Sequence, residues 1–247
     1  MKLFRISFAI VLAGSVMLAS CKKEFKKIIQ EDTNLETMAK IRVYNGAINT
    51  NRNYVYVDNT PVSGVVFAYL GLFPASGQYA VVEPGNRTVV VKDTLSTTTQ
   101  NPVNITADFE AGKHYTIFIY DSTNSVKSKL VEDQIVVPAD TTARLRFANL
   151  VYSSDPIPNV DVYSVRKGQN IFTNLAVSDV TDFIQVASNT TDSIYVRETG
   201  TTTDLAPVLS ITPSIKRSYT VVFRGHYGTT TGTSTSIRRY LSAFATY

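Results

Sequence analysis

The sequence predicts an all-β protein: two tandem Ig-like, Greek-key-like β-sandwich domains that follow a signal peptide and a flexible tether. Apolar and polar residues alternate with period two in short runs, and β-branched and aromatic residues dominate these runs. Four of the runs recur in the same order 104 to 106 residues later. Because helical periodicity is absent, the sequence favours strands throughout.

The first 20 residues have the pattern of a secretory signal peptide. Lys2 and Arg5 supply a short positive region, and residues 8–18 form an apolar stretch. A membrane-spanning helix needs about 20 apolar residues, so this stretch is too short for an anchor. The tetrad Leu18-Ala19-Ser20-Cys21 resembles the lipobox of bacterial lipoproteins, in which the cysteine is alkylated with diacylglycerol and the signal is cut before it.

This resemblance implies lipidation of Cys21, the only cysteine in the chain. Several acyl chains give durable membrane attachment where a single chain does not. A thioether-linked Cys21 has no thiol left for a disulfide, a metal or nucleophilic attack. The alternative is that Cys21 is an incidental residue beside an ordinary cleavage site.

Residues 21–38 are predicted to form a lipidated tether, because their charges balance and they show little apolar periodicity. Within this segment, Lys22-Lys23-Glu24 resembles the signal that sends some Gram-negative lipoproteins to the outer face of the outer membrane. We therefore expect a protein that is lipid-anchored in the outer membrane, at the cell surface rather than on the periplasmic face.

The internal repeat predicts the domain boundaries. The run AKIRVYN at 39–45 matches ARLRFAN at 143–149, and YTIFI at 115–119 matches YTVVF at 219–223. Between them, NYVYV at 53–57 aligns with NVDVY at 159–163 and YAVVEPG at 79–85 with FIQVASN at 183–189. A tandem duplication predicts one sandwich over residues 39–137 and a second over 138–247.

The boundary itself is expected near residues 138–142, a polar segment that begins with Pro138. Turn residues separate the predicted strands, among them Asp58-Asn59-Thr60-Pro61, Glu83-Pro84-Gly85-Asn86 and Arg224-Gly225-His226. Two outcomes stay open for the boundary. Limited proteolysis leaves two folded halves, or the halves share one fused core and unfold together.

Three segments of the second repeat carry a family resemblance: ARLRFANLVYSSDPIPNVDVYS, VSDVTDFIQV and YTVVFRG. They are similar to the domain of unknown function 4397, found in secreted and lipid-anchored bacterial proteins. The first repeat departs from the pattern, with Tyr54-Val55-Tyr56-Val57 lacking the aspartate and Tyr120-Asp121 standing in place of Arg-Gly. The resemblance implies an Ig-like or related sandwich and no established catalytic residues.

Enzymatic, metal-dependent and nucleic-acid-binding functions find little support in the sequence. His114 and His226 have no second His or Cys at metal-ligand spacing, and none of the common nucleophile, phosphate or zinc motifs occurs. The formal charge of +4 includes Lys2 and Arg5 of the signal peptide, and no basic stripe with interleaved aromatic residues is present. We expect no enzyme, no cofactor, no metal and no nucleic-acid partner.

The duplication preserves one polar pair, Arg42 with Asn45 and Arg146 with Asn149. At positions i and i+3 of a strand, the two side chains leave opposite faces of the sheet. In the structural interpretation, Asn caps the strand exit and Arg pairs with a carboxylate at the rim. In the functional interpretation, each pair contacts an anion or a glycan.

Four Asp-Ser/Thr-apolar or similar tripeptides resemble the acceptor pattern of a general O-glycosylation system used by some Gram-negative bacteria. The acceptor residues are Thr94, Ser122, Thr141 and Ser193. The alternative is ordinary turn chemistry, since Asp followed by Ser or Thr favours turns.

The predicted function is that of a non-enzymatic outer-membrane or cell-surface lipoprotein that acts as a binding, adhesion or accessory module, with a glycan or an envelope protein as partner. Two alternatives are a carbohydrate-binding protein of a nutrient-uptake system and a structural envelope spacer. The absence of Trp counts against carbohydrate binding, although the 14 Tyr offer aromatic surfaces. Tyrosines such as Tyr54 and Tyr56 favour binding if they share one face, and a spacer if they stand singly.

Overall fold

The computed structural model describes residues 34–247. Apart from one 3₁₀ turn at Leu35–Thr37, the regular structure of these residues is β. The predicted signal peptide, Cys21 and most of the tether lie outside the described residues. The all-β prediction is confirmed. The strands of the first half are β1 Ala39–Asn45, β2 Tyr54–Val57, β3 Thr60–Pro61, β4 Leu72–Phe73, β5 Ala80–Val82, β6 Gly85–Lys92, β7 Val103–Phe109, β8 His114–Tyr120 and β9 Lys127–Glu132.

The second half repeats this series. Its strands are β10 Ala143–Tyr152, β11 Val160–Ser164, β12 Gln169–Leu175, β13 Ile184–Val186, β14 Asp192–Glu198, β15 Leu209–Ile211, β16 Ser218–His226 and β17 Tyr240–Ala245. Within residues 34–247, no helix is both long and apolar enough to cross a bilayer.

Each half contains two sheets. In the first half, the order β4-β1-β8-β9, with β5 also paired to β1, forms the first inner sheet, and β3-β2-β6-β7 forms the first outer sheet. In the second half, β13-β10-β16-β17 forms the second inner sheet and β12-β11-β14-β15 the second outer sheet. Apart from β4, which has no counterpart among the strands of the second half, the strands of the two halves alternate between inner and outer sheets in the same order. Both inner sheets centre on a parallel pair, β1 with β8 and β10 with β16. This shared topology is what a duplicated sandwich requires.

Three apolar cores hold the sheets together. The first core lies between the first inner and outer sheets, where Val43 and Ile117 pack with Val89. The second core joins the second inner and outer sheets in the same way. A third core joins the two inner sheets across the halves, and its buried members are Tyr44, Phe118, Ala148, Leu150, Val222 and Phe244. Both inner sheets are therefore buried on both faces, and the layers run outer, inner, inner, outer.

This third core bears on the boundary at residues 138–142. Among residues 34–247, no strand pairs across that segment, so each sheet belongs to one half. The apolar contact between the halves, however, favours a fused core over two independently folded halves. The division into domains at residue 138 stays a prediction.

The structure changes one alignment within the repeat. An offset of 106 residues places Tyr54 on Val160, yet Val160 faces the second core as Val55 faces the first core, and Tyr54 is half-buried on the other face of β2. A shift of one residue moves every side chain of a strand to the opposite face. The equivalent strands therefore align at an odd offset, with valines facing the core in both.

Arg224-Gly225-His226 is not a turn between strands, because all three residues belong to β16. Gly225 has a φ of +96°, and a Cβ there would lie 2.2 Å from the carbonyl oxygen of Arg238. The residue 104 positions earlier, Asp121, also has positive φ, +81°, directly after β8. Both repeats thus place a left-handed residue at the same point, and only the second repeat demands glycine for space.

A first prediction follows from this glycine. Gly225→Ala is expected to lower the free energy of unfolding by about 2 kcal/mol or more, through left-handed strain and the clash with the 238 carbonyl. Asp121→Gly is the comparison at the equivalent position: it removes the left-handed strain there but also the ion pair of Asp121 with Lys127, and it should change stability less than Gly225→Ala. Urea unfolding followed by circular dichroism measures both. Equal stability of Gly225→Ala and the parent protein would contradict the prediction.

Candidate functional site

Arg146 lies in the middle of β10 and points toward the first half. Its side chain is 1% exposed, and its Nη1 lies 2.6 Å from Oδ1 of Asp133, which directly follows β9. Oδ1 has no partner with hydrogen-bond geometry, so this contact is ionic. Nε of Arg146 donates to Thr220 at 2.9 Å, and Thr116 donates to Oδ2 of Asp133. A buried ion pair therefore joins the two halves.

Arg42 occupies the equivalent position in β1 and is also fully buried. Its Nε and Nη2 donate to the carbonyl of Gln78 at 2.9 and 2.8 Å, and Nη2 also donates to the carbonyl of Thr246 in the second half at 2.8 Å. The guanidinium carbon lies 4.1 Å from the ring centroid of Tyr79. Burial lowers the pKa of Arg42, and the negative charge of Asp133 opposes this shift.

Tyr79 connects the two arginines. Its hydroxyl donates to Oδ2 of Asp133 at 2.7 Å. Burial and the negative charge of Asp133 raise the pKa of Tyr79, so the phenol remains a proton donor. We call Arg42, Arg146, Asp133 and Tyr79, with Thr116 and Thr220, the inter-half polar cluster. Because its charges are paired and hydrogen-bonded, it can be buried beside the third core.

The two asparagines leave the opposite face of their strands and hold loops. Oδ1 of Asn45 accepts hydrogen bonds from the backbone N–H of Ala47 at 3.2 Å and from the hydroxyl of Thr50 at 3.1 Å. Nδ2 of Asn149 donates to the carbonyl of Leu175 at 3.2 Å. Both asparagines are fully buried. Asn45 therefore fixes the segment that follows β1, and Asn149 fixes the end of β12.

The structure thus places all four residues of the repeated pair inside the protein. Asn45 is the last residue of β1, where the structural interpretation expects it, whereas Asn149 lies three residues before the end of β10. The carboxylate that pairs with Arg146 lies in the buried contact between the halves and not at a rim, and Arg42 binds carbonyl oxygens across the same contact. A solvent-borne anion or glycan would reach either arginine only if the halves separated. Ligand contact at these residues stays a prediction, and their burial argues against it.

An exposed candidate surface lies on the second outer sheet. Tyr163 of β11 and Tyr195 of β14 are direct cross-strand partners, and both are half-buried. Their neighbours Val162 and Val196 face the second core, so the tyrosines face solvent. The guanidinium carbon of Arg197 lies 4.2 Å from the Tyr163 ring centroid and 5.3 Å from that of Tyr195. We call these three residues the second tyrosine face.

Arg197 is held in place on this face. Its Nε donates to Oδ1 of Asp204 at 2.8 Å. Within residues 34–247, no side chain or carbonyl accepts a hydrogen bond from its Nη groups. The face therefore offers two aromatic rings and free guanidinium donors in a fixed arrangement, which suits a ligand with flat apolar patches and several hydroxyl groups.

The first outer sheet carries a similar surface. Tyr54 and Tyr56 of β2 share the face that points away from the first core, and both are half-buried. Nζ of Lys92 lies 4.5 Å from the Tyr56 ring centroid, and Lys92 is the cross-strand partner of Tyr54. We call these three residues the first tyrosine face. A tyrosine pair beside one cation thus occurs on the outer sheet of both halves.

Sequence reasoning singled out Tyr54 and Tyr56 but missed Tyr163, Tyr195 and Arg197. The sequence does contain a signal for the outward position of these tyrosines, because Tyr163 alternates with Val162 in one strand and Tyr195 alternates with Val196 in another. What the sequence lacks is the register between the strands, which brings the two rings side by side.

The predicted O-glycosylation acceptors lie in different settings. Thr94 and Thr141 are exposed in loops, and Ser122 is half-buried in the turn after β8. Ser193 lies within β14, two residues before Tyr195 and on the same face of the sheet. A sugar on Ser193 would stand beside the second tyrosine face. Modification of these four residues stays a prediction.

Among residues 34–247, no three His, Cys, Asp or Glu side chains lie close enough together to hold a metal ion. Desolvation lowers the pKa of His114, and Lys40 adds to that shift. The ring of His114 packs edge-on against Tyr79. His226 bonds to Thr229 at 3.1 Å at the end of β16. Both histidines therefore contact neighbouring side chains of the fold, a tyrosine ring in one case and a threonine hydroxyl in the other.

Comparisons with known proteins supply a family for the chain. No curated protein matches the sequence. Among solved structures, the chain is similar to a family CBM26 module from Eubacterium rectale Amy13K in complex with maltoheptaose, with 11% identity, coverage of 84% of this chain and 97% of that chain, and a TM-score of 0.27. The domain of unknown function 4397 matches residues 39–163, which is half of the chain. The chain therefore belongs to the family of the domain of unknown function 4397.

Proposed function

We propose that this protein is a non-enzymatic binding module of the bacterial envelope that takes saccharides on its tyrosine faces. The observation that carries the proposal is the second tyrosine face, where Tyr163 and Tyr195 lie side by side and Arg197 is fixed above them. Sugar rings present flat C–H patches to aromatic rings and hydroxyl groups to guanidinium donors. The occurrence of a related face on the other half gives the protein two such surfaces.

The remaining parts of the proposal concern location and organisation. The lipobox-like tetrad that ends at Cys21 supports a lipid anchor, and Lys22-Lys23-Glu24 supports display at the cell surface. The matching order of strands and sheets in the two halves supports a second copy of the family domain over residues 138–247, the first part of which, residues 138–163, already falls within the single matched region. Such a module would serve adhesion or the capture of a nutrient for an uptake system.

A structural spacer is the competing function. A spacer needs the fused layers and the inter-half polar cluster but has no use for paired tyrosines on its outer sheets. The tyrosine faces are therefore the feature that separates the two functions. A glycan array probed with residues 34–247 decides between them, since a spacer should give no reproducible saccharide signal.

The array is paired with substitutions on the second tyrosine face. Tyr163→Ala and Tyr195→Ala are each expected to weaken binding of an array hit about tenfold, through loss of ring contact. Isothermal titration calorimetry measures the affinities. Tyr247→Ala is the matched control, because it removes an exposed tyrosine far from this face in sequence, and it should leave binding unchanged. Unchanged affinity in both face variants would remove this face from the proposal.

The first tyrosine face is tested separately. If Tyr54→Ala weakens binding while the variants of the second face do not, the saccharide site lies on the first half. If no variant on either face alters the affinity for an array hit, saccharides bind elsewhere and the proposed mechanism is wrong.

A further inference from the structure

The second half contains an apolar cavity of about 170 Å³ between its inner and outer sheets. The cavity lies at one end of the second core, where Leu145 of β10 and Ile194 of β14 form its inner wall. The remaining lining residues are Arg166, Lys167, Val186, Ala187, Asp192, Ile211 and Pro213. The walls are thus aliphatic, and the charged residues come from the turn after β11 and from the start of β14.

The internal repeat identifies the residue that fills this space in the first half. Both halves contain a hydrogen bond from a backbone N–H to a tyrosine hydroxyl five residues later, Glu110 to Tyr115 and Ser214 to Tyr219, each 3.1 Å long. These bonds fix the alignment at an offset of 104 residues. The residue before each donor is Phe109 in the first half and Pro213 in the second.

Phe109 is fully buried in the first core, and its ring packs edge-on against Tyr115 with centroids 5.1 Å apart. A proline ring is smaller than a benzyl group and is tied to its own backbone, so it does not reach as far into a core. Pro213 lines the cavity instead of filling it. The cavity therefore corresponds to the space that the phenyl ring of Phe109 fills in the first half.

A cavity of this size and lining suits a compact apolar group. Engineered apolar cavities of about 150 Å³ stay dry and bind benzene. Hydration of the cavity is unfavourable, because a buried water needs two to four polar partners and the inner walls are aliphatic. The space thus favours an aromatic or branched aliphatic group over solvent.

The mouth of the cavity carries positive charge. Arg166 is exposed, and among residues 34–247 no acceptor binds its guanidinium group. Lys167 donates from Nζ to the carbonyl of Gln185 at 3.2 Å, which leaves its charge without a carboxylate partner. The carboxylate of Asp192 already accepts bonds from the Ser164 hydroxyl and from the backbone N–H of Arg166. Two cations therefore face one internally bonded anion.

We propose that this cavity binds a small apolar carboxylic acid in its ionised form. Its apolar group occupies the space that Phe109 fills in the first half, and its carboxylate lies against Arg166 and Lys167. The site is separate from both tyrosine faces, so its ligand is independent of saccharide binding. A phenyl ring joined to the carboxylate through two methylene groups matches a pocket that is closed at the core and cationic at the mouth.

The test uses 3-phenylpropionate and its neutral analogue 3-phenylpropanol as probes. Titration into residues 34–247 is expected to shift the methyl NMR signals of Leu145, Ile194 and Ile211, with the acid binding about tenfold more tightly than the alcohol. Pro213→Phe copies the first half and should abolish the shifts for both probes. Val186→Phe fills the cavity from another wall and gives the same result if Pro213→Phe does not fold.

Charge variants test the mouth. The double variant Arg166→Gln/Lys167→Gln should bring the affinity for the acid down to that for the alcohol and leave the alcohol unchanged. Arg87→Gln removes an exposed cation of the first half and should affect neither probe. Absence of binding at millimolar concentration, equal affinities in the unaltered protein, or binding that survives both filling variants would each overturn the proposal.

Discussion

Arg146→Met is expected to lower the free energy of unfolding by about 3 to 5 kcal/mol, the usual loss when one partner of a buried ion pair is removed. The substitution leaves the carboxylate of Asp133 without its cation in the contact between the halves, where it is 4% exposed. Water cannot reach the orphaned charge unless the halves move apart. Equilibrium urea unfolding, followed by circular dichroism, measures the change.

Two further variants separate charge from packing. Arg146→Met combined with Asp133→Leu replaces both partners of the ion pair by apolar groups and should recover much of the loss, because the orphaned carboxylate is gone. Arg87→Met removes one partner of the solvent-exposed pair with Asp58 and should cost much less. A loss for Arg146→Met no larger than that for Arg87→Met would show that the buried pair does not hold the halves together.

Cleavage of the segment between the halves is expected to leave them associated. A protease recognition sequence inserted between Ala139 and Asp140 allows the backbone to be cut in the folded protein, since both residues are exposed. The third core and the bonds of Arg42 and Arg146 cross the contact without using this segment. The two fragments should therefore elute together in size-exclusion chromatography and unfold in one transition.

A charge placed in the third core is the control for this experiment. Val222→Asp puts an unpaired carboxylate between the inner sheets. The cut protein that carries it should separate into fragments or aggregate. If the fragments of the unaltered protein separate and each retains its β-sheet circular dichroism spectrum, the halves are independent domains, and the apolar contact between them is incidental.

Much of the fold could be predicted from the sequence because the alternation of residues within a strand is a local pattern. Ile41 with Val43, Val55 with Val57 and Val89 with Val91 alternate as the pattern requires, and each pair faces the first core. The order of the blocks also predicts a repeated topology. The alignment of equivalent strands is harder to predict. NYVYV and NVDVY can be aligned plausibly at two positions that differ by one residue, and this difference exchanges the core-facing and solvent-facing residues of the strand.

The candidate site was less accessible to sequence reasoning, for two physical reasons. An arginine in a strand usually marks a solvent-facing position, so burial of Arg42 and Arg146 depends on the second sheet that covers them. The second tyrosine face depends on cross-strand register, which sequence spacing does not contain. The cavity beside Pro213 could not be foreseen from the second repeat alone. Its origin becomes clear when the two repeats are aligned, because Pro213 then stands at the position of Phe109.

The parallel pairing of β1 with β8 has a mechanical consequence. A pull on the chain ahead of Ala39 acts along β1, which lies inside its sheet between β4 and β5 on one side and β8 on the other. The six register pairs from Lys40 to Asn45 then carry the load in shear, so they must fail together and not one after another. The fold therefore resists extraction of its first strand by a force applied to the chain on the amino-terminal side of Ala39.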